Sequence, residues 1–211
     1  MPYSNFTRIE ELREQFGLIV TSAAPLYPEI TEIAVPSLLA DILKENIPLA
    51  LNINTEKARS ELIIAPVLVE VRRLLDRKIS RFSGVDFNVD DSQNLTGYCD
   101  FLRSYSPDQV FLTAPVACIV EAKNENIRSA YPQCIAEMVA AQRFNMSKGN
   151  PVPWILGVVT TGSNWKFLHL EHQTVSVDFD EYLISQIGKI LAIFIESINT
   201  IGRATVGDSV L

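Results

Sequence analysis

The chain is poor in the residues that staple small secreted or metal-bound domains together. Its three cysteines, Cys99, Cys118 and Cys134, are odd in number and show no C-x-x-C spacing, which argues against a disulfide framework and a structural zinc site. They read as small, reduced core residues. Histidine is scarcer still, with two. His169 and His172 form an H-x-x-H that would share one face of a helix, but Trp165-Lys166-Phe167-Leu168 before them reads as strand, where that separation puts them on opposite faces. Long apolar runs are missing: the longest unbroken one, Ile190 to Ile195, is far below the about 20 residues that span a bilayer. The first eight residues lack the basic segment and apolar run of a secretory signal. Repeats and low-complexity segments are absent too. These absences point to a soluble, cytoplasmic protein. Positive charge is also short, with 18 Lys and Arg against 25 Asp and Glu and a net charge of −7. That field repels a polyanion, whereas stand-alone DNA-binding domains usually carry a basic face.

What is present suffices for one core. Residues 1–211, 47% of them hydrophobic, are expected to form a single domain. Residues 7–16 read as an amphipathic helix with Thr7 as cap and Gly17 as stop. Pro25, Pro28 and Pro36 punctuate an irregular stretch before a short helix, Ser37 to Glu45. A longer helix is expected over about 55–77, then a strand near Val85 to Val89 marked by its alternation. Strands containing Asp100 and Glu121 come next. After Pro132 a helix runs to about Ser147-Lys148-Gly149, and Trp154 to Thr160 and Trp165 to Leu170 read as two strands joined by Gly162-Ser163-Asn164. From Asp180 to Ile201 the pattern is one helix, with Leu183, Ile187, Ile190, Leu191, Phe194 and Ile198 in a wide apolar stripe. Such a helix packs on its own sheet, or makes a homodimer or docks a protein partner.

The chemistry concentrates between Asn94 and Lys123. Asp100 lies in an apolar-edged strand, and Glu121-Ala122-Lys123 closes the more apolar Ala117-Cys118-Ile119-Val120. Alternation sends Glu121 and Lys123 to one side and Ala122 to the other, so two carboxylates and an ammonium are expected to meet at a sheet edge. Charges beside such apolar strands are costly unless compensated, and a divalent cation bridging Asp100 and Glu121 is an economical answer.

Asp100, then Glu121-x-Lys123 after a hydrophobic strand, resembles the PD-(D/E)XK nuclease superfamily. The flanks add to the likeness: Asn54-Thr55-Glu56-Lys57-Ala58-Arg59-Ser60-Glu61 opens the upstream helix, Gln133 sits on the downstream helix, and Gly157 to Trp165 follows as strand and turn. This order is similar to the N-terminal nuclease domain of type I restriction motor subunits and to orphan single-domain bacterial relatives, over roughly residues 54–170. The resemblance implies an α/β, restriction-endonuclease-like fold, a mixed β-sheet flanked by helices. Residues 54–172 would be its core, 1–53 a helical N-terminal extension, and 173–211 a C-terminal strand and helix.

The same resemblance implies an endonuclease hydrolysing DNA with Mg²⁺ or Mn²⁺, in restriction, repair or mobile-element processing. Asp100 and Glu121 would hold the metal with the Ala122 carbonyl oxygen, Lys123 would offset charge on the phosphorane, and Gln133 would orient water or touch a phosphate. Relatives often add a glutamate from the upstream helix. Glu61 shares a stripe with Ile64, Leu68, Val71 and Leu75 and is expected to point inward; Glu70 lies on another apolar stripe, and Glu56 sits at the helix start, where an acid is favoured without a metal. Two positions depart from the pattern: Glu137 stands where some relatives have Tyr, and Cys99 where a proline often precedes the first aspartate.

Arg72, Arg73, Arg77, Lys78 and Arg81 gather around a single acid, Asp76. They have two readings, phosphate contacts or a helix C-terminus where cations favour the dipole. The alternative to an enzyme is a catalytically silent nuclease-like module that binds protein or dimerises.

Overall fold

The structure is a computed structural model that describes residues 3–207, so positions 1, 2 and 208–211 of the expected domain lie outside it. In chain order it comprises α1 (Ile9–Phe16), β1 (Ile19–Thr21), α2 (Ser37–Ile53), α3 (Glu56–Arg59), a π-helical turn (Ser60–Ile64), α4 (Ala65–Leu74), β2 (Phe82–Asp86), β3 (Tyr98–Ser104), β4 (Val116–Ala122), α5 (Tyr131–Ser147), β5 (Ile155–Thr160), β6 (Asn164–Glu171), β7 (Thr174–Val177), β8 (Tyr182–Leu183) and α6 (Ile187–Gly207). The fold is mixed α/β, as expected. Seven strands run in the order β1-β7-β6-β5-β4-β3-β2, with β8 pairing to β6. The β4–β5 and β1–β7 pairs are parallel and the others antiparallel.

The sheet separates two apolar layers. Cys118, Val120 and Ala122 of β4 join Ile63, Leu68 and Val71 and, from α6, Ile190 and Phe194. Ile119 joins Leu12 of α1 and Cys134, Ile135 and Met138 of α5 on the opposite side. Every residue of β4 and β5 is buried, as expected of central strands covered on both faces. Gly157 on β5 faces α5 so closely that a Cβ there would meet Met138 Sδ at 2.3 Å. Asn145 locks α5 to the start of β4: its Oδ1 accepts from Val116 N at 2.7 Å and its Nδ2 donates to Val116 O at 2.7 Å.

Several boundaries differ from the sequence expectation. The segment before residue 54 is not purely helical, because β1 adds an edge strand beside β7. Thr7 does not cap α1: Arg8 occupies the cap position, and the Thr7 amide donates to Glu11 Oε2 instead. Gly17 does stop the helix, at φ 67°. α2 extends to Ile53, and β2 sits at 82–86, ahead of the expected 85–89. The region from Asp180 opens with β8 and a 3-10 turn before α6 begins at Ile187. In α6, Ile190, Leu191, Phe194 and Ile198 are buried by the chain's own core while Leu183 is exposed, so that stripe packs on its own sheet. Ile184–Ala204 is long and apolar enough to cross a membrane by length and composition, but half of its most apolar window is buried inside the protein.

The long helix over 56–74 contains a defect with a cause. Pro66 has no amide proton to give the Leu62 carbonyl four residues back, and its ring crowds that carbonyl. The helix widens just before it, with Ala65 N donating to Ser60 O, a five-residue step characteristic of a π-bulge. Asn46 of α2 supplies the missing donor, its Nδ2 reaching Leu62 O at 2.9 Å. Asn46→Ala is therefore expected to cost about 1–2 kcal/mol, and less in a Pro66→Ala background, where an amide at 66 can serve the Leu62 carbonyl. Denaturant unfolding of the four chains of this double-mutant cycle measures the coupling; equal costs in both backgrounds would sink the assignment.

Candidate active site

The site forms where β3 and β4 part. Their ladder pairs Phe101 with Val120 and Leu102 with Ile119, and one step beyond it the Asp100 side chain takes over, Oδ2 accepting from Ala122 N at 2.8 Å. β4 meanwhile stays paired to β5 through Glu121↔Val159 and Ala122↔Thr160, and Lys123 N prolongs the pairing by donating to Thr160 O at 2.9 Å. The aspartate and the E-x-K segment thus meet where the pairing of two internal strands stops. The expected sheet edge is corrected: β3 lies between β2 and β4, and β4 between β3 and β5.

Glu121 follows the alternation set by Ile119 and turns towards α5, with 1% of its side chain exposed. Its Oε1 accepts from Lys123 Nζ at 2.5 Å, whereas Oε2 is buried without a partner. Lys123 Nζ also lies 3.5 Å from Gln133 Oε1. The amide of Gln133 is turned by Glu137, whose Oε1 accepts from Gln133 Nε2 at 3.1 Å. Gln133 is thus brought beside Lys123. Glu137, fully buried with its Oε2 unpartnered, holds Gln133 from behind.

Three acids in this small volume set its electrostatics. Burial, and after it the neighbouring Asp100 carboxylate, push the Glu121 carboxyl up to about 8 against the pull of Lys123. Burial and Glu121 drive Glu137 well above the ordinary carboxylate range. Burial works against the Lys123 ammonium, yet Glu121, Glu56 and Asp100 together hold it above the usual lysine range. A buried carboxyl with one oxygen unpaired and its ionisation suppressed is what a hard cation would relieve.

Asp100 opens onto a cleft of about 290 Å³ lined by Glu56, Lys57, Ser60, Glu61, Ser83, Gly84 and Ala122. Here one expectation fails. Glu61 does not point inward: 62% of its side chain is exposed and it pairs with Lys57 at 3.3 Å. The π-turn adds a residue to the turn between Glu61 and its supposed stripe partners, so the spacing that put it beside Ile64 and Leu68 does not hold there. Glu70 is tied to Arg73 at 2.5 Å. Glu56 is the upstream acid whose charge registers at both Glu121 and Lys123.

Arg59 was missed in the sequence. It binds Asn124 Oδ1 at 3.1 Å, Thr161 O at 3.1 Å, Ser163 Oγ at 3.0 Å and Asn54 Oδ1 at 2.9 Å. It thereby ties α3 to the loop after Lys123 and to the β5–β6 turn. No spacing rule exposes such a residue, because its partners come from three separate segments.

Among the described residues no three His, Cys, Asp or Glu side chains form a ready-made metal cage. Glu121 Oε2 is buried without a partner, and the hydrogen bond of the Asp100 carboxylate among the described residues is through Oδ2. Glu56 lines the cleft onto which Asp100 opens, whereas Glu121 is not among its lining residues; carboxylate oxygens are the donor type that Mg²⁺ and Mn²⁺ prefer. His169 is elsewhere, bonded to Tyr27 Oη at 2.6 Å and stacked on Trp154. The three cysteines are free and buried.

A pH dependence follows from Glu121. Below its ordinary value of 4.5 the carboxyl is protonated in both folded and unfolded chains. Between 4.5 and about 8 the folded chain keeps a proton that the unfolded chain releases, so stability falls across that window and levels off above it. In chelator-containing buffer the melting temperature is expected to drop from pH 5 to pH 8, with roughly 3–5 kcal/mol of the loss traceable to this group. Glu121→Gln should flatten much of the slope and melt above the parent at pH 8. A parallel slope in the variant would contradict the assignment. No protein-family model, curated protein or solved structure matches this chain, so the chemistry of the site is read from its own geometry.

Proposed function

We propose that the chain is a divalent-cation-dependent endonuclease hydrolysing DNA phosphodiester bonds, with Asp100, Glu121 and Lys123 at its centre. The observation that carries this reading is Glu121: a fully buried carboxylate with one oxygen on an ammonium and the other on nothing, beside a second acid at the point where two strands separate. A purely structural ion pair has no need of the second acid or of the orphan oxygen, and its burial would be uncompensated. The likeness to PD-(D/E)XK nucleases in the order of these residues supports the same reading.

Asp100 and Glu121 are the residues that would hold Mg²⁺ or Mn²⁺, with Glu56 and the Ala122 carbonyl as further oxygen donors. When bound, the cation polarises the phosphoryl oxygen and acidifies water. The remaining roles fall to the chain. Lys123, kept charged by its acidic neighbours, offsets negative charge that grows on the phosphorane; a single donor at such a position is worth about 10²–10³ in rate. Gln133, its amide fixed by Glu137, presents its oxygen towards Lys123 and so orients that ammonium or a water beside it. Arg59 holds the loop that follows Lys123. Exclusion of water around Glu121 strengthens every one of these interactions.

A second reading has its own observation. Lys123 already sits on Glu121 at 2.5 Å, a self-satisfied pair that a catalytically silent binding module would retain, and the net charge of −7 suits a protein partner.

Nicking of plasmid and of single-stranded DNA with Mg²⁺ or Mn²⁺, run beside melting curves, separates the two. Asp100→Asn is expected to abolish both cleavage and cation-induced stabilisation. Lys123→Ala should keep the stabilisation while cleavage falls at least about 100-fold. Glu56→Gln should weaken the cation response and Glu61→Gln leave it nearly intact. A parent chain indifferent to both cations would shift the choice to the silent module.

A further inference from the structure

The arginines after α4 form a second polar feature, away from the carboxylates. Arg72, Arg73, Arg77 and Arg81 line a single cleft of about 280 Å³ with Val69 and Gln109. Of these, Arg73 is neutralised by Glu70, and nearby Lys78 faces Asp76 at 3.7 Å. Arg72, Arg77 and Arg81 have no carboxylate partner among the described residues. Arg72 spends its Nε on the Ile79 carbonyl at 3.0 Å, leaving the rest of its guanidinium free of protein hydrogen bonds.

Two observations set this cluster apart from an ordinary helix end. First, the cations come from different segments: Arg72 and Arg73 from α4, Arg77 from the turn and Arg81 from the approach to β2. Favourable interaction with a helix C-terminus falls off within the last turn and leaves Arg81 unexplained. Arg81 lies against the Phe101 ring, 5.3 Å from its centroid, with a buried Nε that has no partner. Second, Arg103 of β3 is completely buried behind them, with no ion-pair partner among the described residues. It donates from Nη2 to the Leu68 carbonyl, and its Nε and Nη1 have no partner. Burial lowers its pKa to about 10, and the charges of Arg81 and Arg72 add to that effect. The three arginines therefore stand close enough to repel one another. An uncompensated positive locus of this kind, in a chain of net charge −7, is the complement of an anion.

We propose that the cleft formed by Arg72, Arg77 and Arg81 is a phosphate-binding site. Guanidinium groups offer paired donors matched to phosphate oxygens, and Gln109, which already joins the Arg81 backbone through both ends of its amide, closes the wall. The position of the cleft identifies the phosphate it would take. Arg81 immediately precedes β2, and Ser83 and Gly84 of β2 line the cleft onto which Asp100 opens. Three residues of strand span roughly 10 Å. β2 is the end strand of the sheet, and nothing stands within 4 Å of where a Cβ on Gly84 would be. A nucleic-acid backbone laid along β2 would put one phosphate at the carboxylates and another among the arginines. This occupant rests on the nuclease reading; the phosphate chemistry of the cleft does not. A free phosphate or a nucleotide would be held by the same groups.

The test uses the full chain with Arg72→Gln and Arg77→Gln singly and together, and Arg203→Gln as an exposed charge control. One arm measures anisotropy of a labelled DNA duplex against salt, in chelator so that nothing is cut. The other follows melting temperature against inorganic phosphate, with chloride at matched ionic strength. For a backbone phosphate, the double variant is expected to bind DNA at least about tenfold more weakly and to lose roughly one to two from the slope of log affinity against log salt. Arg203→Gln should change neither. For a free phosphate, the parent is stabilised by phosphate and the double variant is not, while DNA binding is unchanged. The proposal is overturned if neither arm responds to the double variant, or if Arg203→Gln matches it. Asp100→Asn separates this from the nuclease reading: loss of cleavage with intact arginine-dependent binding leaves both standing, whereas no cleavage by the parent with intact binding removes only the nuclease.

Discussion

A carboxylate carried into the middle of a fully buried strand is the constraint on which the rest of the site depends. Glu121 has apolar neighbours along β4, β5 on one side and α5 above it. Placing an ion there without compensation would be prohibitive, and the chain compensates in steps. Lys123 takes one oxygen, and the carboxyl's ionisation is suppressed until about pH 8. Asn145 and the close contact at Gly157 hold α5 tightly against β4 and β5. Glu137, on the same helix, is fully buried and accepts from Gln133.

Strand divergence is the second half of the device. Had β3 and β4 remained paired for one more step, the Ala122 amide would have bonded to backbone and the two acids would have been locked across an ordinary ladder. Instead the Asp100 side chain substitutes for a backbone carbonyl, which releases the chain of β3 towards the cleft. A polar side chain acting as a ladder acceptor satisfies the buried amide while leaving a second carboxylate oxygen uncommitted. One residue thus ends the β3–β4 ladder while β3 stays paired to β2 through Cys99 and Tyr98.

Much of this was legible in the sequence because it rests on the two-residue period. Glu121 and Lys123 share a side because alternation is a property of the strand itself, and β4, α5, β5 and β6 fall where their apolar patterns put them. The errors share a different origin. Glu61 was placed inward by a 3.6-residue period that holds only for an unbroken α-helix, and Pro66 breaks it. The proline was visible; what it does to the turn before it depends on whether a partner such as Asn46 can serve the stranded carbonyl. β1 escaped notice because three residues give too little pattern, and its strand character comes from pairing with β7 across more than 150 positions. Arg59 was illegible for the same reason, since its four acceptors come together only when the sheet has formed.

The two polar features of the molecule follow opposite electrostatic logic, and this bears on how an acidic protein could approach a polyanion. At the carboxylates, negative charge is buried and partly masked by protons and Lys123, so its field at the surface is weaker than the count of acids suggests. Arg81 and Arg103 lie against the rings of Phe101 and Phe194, none of Arg72, Arg81 and Arg103 has an ion-pair partner among the described residues, and low-dielectric surroundings extend the reach of such charge. Net charge therefore misstates the surface along β2, which has an arginine-lined cleft at one end and the cleft of Asp100 and Glu56 at the other. On that surface the local distribution outweighs the total, because at physiological salt the rest of the acidic body is screened beyond about 8 Å.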